Sequence, residues 1–347
     1  VDVLGSLVPP TNPVTSRTPT ATHTPLPSDT PTPNPTEVPF TTIAFTGVIV
    51  PARCVQAGVD EAGSADYIYE DVREILLGAD ITVGSFNAVM SDAIEPIGCQ
   101  ASWELVGSSN NADALQAAGF DVMSVATNHI KDCGRYACGD QAFFDTLYHL
   151  ERVGILPVGA GENLDAGLQP VVVERNGIRF GFVSLGEVNP DVFADFETPG
   201  IANLTYFHLQ EAIELARAVS DVVIVLPHSG PEDELEVIPQ QKFWARNSVA
   251  MGADLVVENH AHVVQGYQAI DDVMVFYALG NFVFDQVWSR DHQQGVILLV
   301  TFQETTVVGF EFIPTVVLQD GTVLLADAQE AQEIIDRIEE SSNLLTE

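Results

Sequence analysis

The sequence of 347 residues contains eight histidines, and four of them fall where chemistry is usually built. His129 follows the run DVMSVATN, His228 follows DVVIVLP, and His260 and His262 follow ADLVVEN. Each run is rich in apolar, β-branched residues and reads as a buried strand, and the sites of α/β sheets gather at strand carboxyl ends. Imidazole is a borderline ligand, so these groups, with the carboxamide of Asn128, make a donor set suited to zinc, manganese or iron. A single histidine in such a loop is usually a hydrogen-bonded bystander, whereas four at corresponding positions point to a site. His260 and His262 carry a geometric condition, because alternate residues of a strand face opposite ways and only a loop lets both reach one ion.

These side chains need elements to hold them. Strands are predicted at 42–46, 81–84, 122–125, 171–174, 180–185, 222–226, 255–257 and 273–278, and amphipathic helices at 66–77, 140–153, 206–219 and 239–251. The alternation predicts an α/β domain with at least one buried sheet. Runs at 295–302 and 306–318 extend the sheet system, and a charged helix over 326–340 closes the chain. The expected organisation is an apolar N-terminal segment (1–10), a Thr/Pro-rich stalk or linker (11–40), one folded domain (41–325) and an acidic C-terminal helix and tail (326–347).

From Thr11 to Pro39, 17 of 29 residues are Thr or Pro, a density that favours a solvated polyproline II rod over a core. Such tracts are frequent O-glycosylation stalks, which makes Thr18, Thr20, Thr22, Thr24, Thr30 and Thr32 candidate glycan sites, and Asn203 opens an N-glycosylation sequon. The apolar run VDVLGSLV before the stalk could add as a strand to another sheet, so self-association through the N-terminal segment is expected.

The 49 acidic against 13 basic residues give a net charge of −36. Phosphate binding needs clustered positive charge, so nucleic acid is not an expected partner. No apolar run approaches the ~20 residues that cross a bilayer. The chain starts at Val1 without a basic region and apolar core, so it reads as an exported protein, extracellular or at the cell surface, whose signal peptide has been removed. Four cysteines without a CxxC pair suit disulfides in such a protein. Of three connectivities, Cys133 with Cys138 and Cys54 with Cys99 is favoured, because the first pair lies within one tight loop.

The blocks AGFDVMSVATNHIKDCG, LPHSGPE, GADLVVENHAHVVQG and FYALGNFVFD, in this order, resemble those of the CapA family, named for poly-γ-glutamate capsule synthesis. The resemblance covers about residues 42–302. It implies a calcineurin-like metallophosphatase fold, a four-layer sandwich of two central sheets flanked by helices, with a metal site at the strand ends and an extracytoplasmic location. Carried over to this sequence, it makes Asn128, His228, His260 and His262 metal-site residues. His129 would stabilise developing negative charge or handle protons, with Glu232 as the alternative proton carrier. Asn281, in the Leu-Gly-Asn-Phe turn, would buttress the site.

Two positions depart from the pattern. Val48 stands where the family's first ligand carboxylate is expected, and Asn87 where a Glu is expected. Two divalent cations at close range repel strongly, and flanking carboxylates make holding both tolerable. A dinuclear centre is therefore disfavoured, and the cofactor expectation is no metal or one divalent ion, Zn, Mn or Fe. The expected function is a non-catalytic, structural surface protein of an extracellular assembly or filament. The alternative is a metal-dependent, phosphoesterase-like hydrolase or polymer-processing enzyme. A third reading, a capsule-polymer binder, meets the objection that poly-γ-glutamate is itself anionic.

Overall fold

The structure, a computed structural model, describes residues 39–345. The apolar segment at 1–10, nearly all of the stalk with its six candidate threonines, and the self-association expected of them lie outside the described residues.

The chain first lays down four parallel strands, β1 (Phe40–Ile49), β2 (Ile81–Phe86), β3 (Val122–Ser124) and β4 (Leu156–Val158). A second sheet follows with β5 (Val171–Arg175), β6 (Ile178–Gly186), β7 (Val222–His228), β8 (Leu255–Val257), β9 (Tyr267–Ile270) and β10 (Val273–Phe276), in the spatial order β9-β10-β8-β7-β6-β5. The chain then returns to the first sheet through β11 (Asn281–Val283), β12 (Gln294–Gln303), β13 (Thr306–Val317) and β14 (Val323–Leu325). There the order is β14-β13-β12-β1-β2-β3-β4, with β11 parallel to the carboxyl end of β1.

Alternation along the strands explains the layers. Ile43 and Phe45 of β1 share one buried cluster with Val222, Ile224 and Leu226 of β7, whereas Ala44, Val223 and Val225 belong to the clusters on the outer faces. With a side-chain period of two, both faces of each sheet are apolar and both are covered. Helices α1 (Cys54–Ala62), α2 (Asn110–Ala118) and α3 (Gln141–Arg152) cover the first sheet, burying Val55, Leu115 and Phe143 among others. Helix α4 (Tyr206–Val219) covers the second, together with α5 (Pro239–Ala250). The threonine hydroxyl of Thr205 accepts from His208 N at 3.2 Å and starts α4, which buries Leu209, Ala212, Ile213 and Ala216 at helical spacing. The last helix, α6 (Ala328–Asn343), buries Ile334 and Ile338 in the cluster between the sheets. This is the four-layer sandwich that the family resemblance implies.

The predicted helix at 66–77 is two pieces, a 3-10 turn Asp66–Tyr69 and an α-helix Arg73–Gly78. The Arg73 guanidinium takes the Asp66 carbonyl at 2.9 Å, and Glu70 N donates to Tyr67 O instead of continuing an α-turn. Helices α1 and α2 were not anticipated. The buried face of α2 is mostly Ala112, Ala114 and Ala118, which contrasts too weakly with its polar face to show a period. Both disulfides form, Cys54–Cys99 and Cys133–Cys138. No described helix is long and apolar enough to cross a membrane.

Candidate metal centre and pocket

The carboxyl ends of β1, β2 and β3 in one sheet and of β7 and β8 in the other bring the predicted residues together. His228 closes β7, and its Nε2 lies 3.1 Å from Asn128 Oδ1 and 3.0 Å from His260 Nδ1. Asn128 Oδ1 is an obligate acceptor, so one imidazole proton must serve two neighbours, whereas a cation would satisfy all three lone pairs at once. After Val257 the strand gives way to a loop in which His260 and His262 adopt φ of 125° and 61°. This left-handed backbone is how both rings reach one place, with centroids 6.0 Å apart. Such conformations cost about 1–3 kcal/mol each and persist where surrounding structure enforces them.

Asn281 sets the proton on His262. Its Nδ2 donates to Gln286 Oε1 and to the His292 carbonyl, both at 3.0 Å, so its Oδ1 must face His262 Nδ1, which donates at 2.7 Å. In the neutral ring, Nε2 therefore carries the lone pair, as a ligand requires. Burial holds the imidazoles neutral, with His228 well below its ordinary pKa, His260 down to about 3 and His262 to about 4. Burial also raises the Glu232 carboxyl, against the pull of His129. Donor atoms of Glu232, His260 and His262 all lie within 4.8 Å of one another.

The acidic half differs. Val48 is 0% exposed, packed in an apolar cluster and paired across the sheet with Ser85 and Asn281. Asn87 is also fully buried. Its Oδ1 accepts from His129 N at 3.2 Å, and its Nδ2, a donor, has no hydrogen-bond partner. Neither position supplies an anionic oxygen. The donors brought together here would suit one ion, held by Asn128, His228 and His260 with His262 and Glu232 alongside.

A cavity of about 300 Å³ opens beside these groups, lined by His129, Glu232 and His262 and walled by Trp103, Phe284 and Trp288. His129 Nδ1 lies 2.8 Å from Asp132 Oδ2, which orients the ring. Sequence reasoning missed the main support of this cavity, the buried ion pair of Arg53 and Asp285. Arg53 Nε donates to both Asp285 oxygens, at 2.9 and 3.2 Å, and Nη1 donates to the Ser102 carbonyl at 2.9 Å. The guanidinium also lies 4.9 Å from the Phe284 ring centre. Also missed was His292, whose Nε2 is 2.6 Å from Asp233 Oδ1. The only sequence hints are that Asp285 closes the GNFVFD block and that His292 follows soon after it. Asn203 is half-buried, its carbonyl accepts from His208 Nδ1 at 3.1 Å, and Thr205 of its sequon caps α4.

Residues 42–286 match the profile of the family described as bacterial capsule synthesis protein PGA_cap. The chain is 30% identical over 265 residues, 74% of its length, to the capsule biosynthesis protein CapA of Bacillus anthracis. It is 27% identical over 256 residues, 73% of its length, to the PGA biosynthesis protein CapA of Bacillus subtilis (strain 168). The matches span 62% and 66% of those relatives, under two thirds of each. A solved hypothetical protein from Thermus thermophilus shares the fold, with a TM-score of 0.50 at 13% identity over 79% of this chain and 98% of that one. The chain belongs to the bacterial capsule synthesis family that includes the CapA proteins.

Proposed function

We propose that this chain is an extracytoplasmic capsule-biosynthesis protein whose centre binds one divalent ion and does not hydrolyse. The observation that carries the reading is Val48, fully buried among apolar groups at the end of β1, where a second ion would need a carboxylate. His228 and His260 would hold such an ion beside the cavity, where it would supply Lewis-acidic charge. The chain's own residues do the rest. Asn281 holds His262 in the ligating tautomer, Asp132 orients His129 towards the cavity, and the Arg53–Asp285 pair fixes the wall. The further expectation, a structural subunit joined to its neighbours through residues 1–38, rests on the sequence of that segment alone.

The test is metal titration of the purified full chain by calorimetry, with elemental analysis. One equivalent of zinc or manganese is expected, falling below a tenth in His260→Ala, with no turnover of bis(p-nitrophenyl) phosphate above buffer. Two equivalents, or turnover that His260→Ala removes, would return the protein to the hydrolases.

A further inference from the structure

The cavity is aromatic at its mouth and acidic within. Trp103 is 80% and Trp288 64% exposed, and both line it, with Phe284 behind. Two large indole faces left open to water beside a cavity mark a recognition surface more than a packing accident. Of the polar groups lining it, the Glu232 and Asp233 carboxylates are acceptors suited to hydroxyl donors, and Gln286, whose Oε1 already takes Asn281 Nδ2, keeps its amide N–H groups for a hydroxyl oxygen. The one lysine or arginine lining the cavity is Arg53, and its charge is already matched by Asp285. No free positive side chain among the lining residues therefore faces an incoming anion. One divalent ion would not change that, because the charges of Glu232 and Asp233 together offset it.

We propose that the cavity binds a neutral saccharide ring, stacked on Trp103 and Trp288 with its hydroxyls on Glu232, Asp233 and Gln286, and not an anionic polymer. Sugar rings present apolar C–H faces that pack on aromatic rings and hydroxyl edges that donate to carboxylates. The inference rests on the one-ion reading for the charge beside the cavity. A polyanion approaching a chain of net charge −36 gains nothing from this lining to offset the repulsion.

The experiment is a titration of the full chain, after chelation and again with one equivalent of zinc, followed by tryptophan fluorescence. The probes are maltopentaose, cellopentaose, chitotetraose, a γ-glutamate pentamer and tetramethylammonium. At least one saccharide is expected to shift the emission saturably and independently of salt, with affinity falling about tenfold or more in Trp288→Ala and in Trp103→Ala. Both variants should keep one equivalent of zinc and the parent's melting temperature, so that failure here is distinct from failure of the metal reading. The inference is overturned if no saccharide binds, if the γ-glutamate or the amine binds more tightly than every saccharide, or if the tryptophan variants bind as the parent does.

Discussion

Placing a carboxylate at position 48 tests the physical argument directly. In Val48→Asp without metal, the new side chain enters a site with 0% exposure among apolar neighbours. The nearby imidazoles are held neutral by burial and offer no countercharge. The acid must stay protonated, which at pH 7, some three units above its ordinary pKa, costs about 4 kcal/mol. Lost valine burial adds about 1 to 2 kcal/mol, so the total of about 5 kcal/mol rivals the whole stability of many domains. The sign with pH follows, because a carboxyl whose folded-state pKa is raised keeps its stability below the unfolded value and loses it as pH rises. The gap between variant and parent should therefore shrink by about 1.4 kcal/mol per unit from pH 7 towards pH 5. A divalent ion that binds the new carboxylate should reverse the loss, by about 2.7 kcal/mol at a hundred times its Kd. Urea unfolding at pH 5, 6 and 7, with and without manganese, reads all three effects. A variant as stable as the parent at pH 7 without metal, or a gap that ignores pH, would refute the reasoning.

Other outcomes follow from the same geometry. Asn281→Leu frees the His262 ring and should weaken zinc binding by about 10- to 100-fold, measured by calorimetry, with the fold intact by circular dichroism. Asp285→Ala leaves the Arg53 guanidinium buried without its partner and should cost about 3–5 kcal/mol in denaturant unfolding, whereas the pair Arg53→Met with Asp285→Leu should cost less. Replacing Cys54 and Cys99 by serine opens a 45-residue loop and should lower stability by about 4 kcal/mol in the chain-entropy picture, read as a lower urea midpoint.

Much of the framework is legible in the sequence because burial on both faces forces long β-branched runs, as in β7 and β8, and because α4 has a capping threonine and a clean apolar stripe. The four histidines are legible for a related reason, since each follows such a run. Their convergence is not, because the left-handed turns at His260 and His262 depend on the loop that contains them, and neither residue type announces them. The Arg53–Asp285 pair joins residues 232 apart, beyond any local period. The aromatic mouth is hidden for another reason: an exposed tryptophan in a loop reads as an isolated apolar residue until folding places Trp103 and Trp288 around one cavity. The two positions where the family resemblance implies carboxylates could be located from sequence, but the apolar packing of Val48 and the unpartnered Nδ2 of Asn87 are visible only in the structure.

The cavity mouth is fastened on both lips. One is riveted by the Cys54–Cys99 crosslink and by Arg53 gripping the Ser102 backbone, and the other by His292 bound to Asp233. A rim tied down in this way is preorganised, so the saccharide proposed above would pay little to order its host. A space of about 300 Å³ also matches the end or a side branch of a long chain more closely than an extended stretch of it.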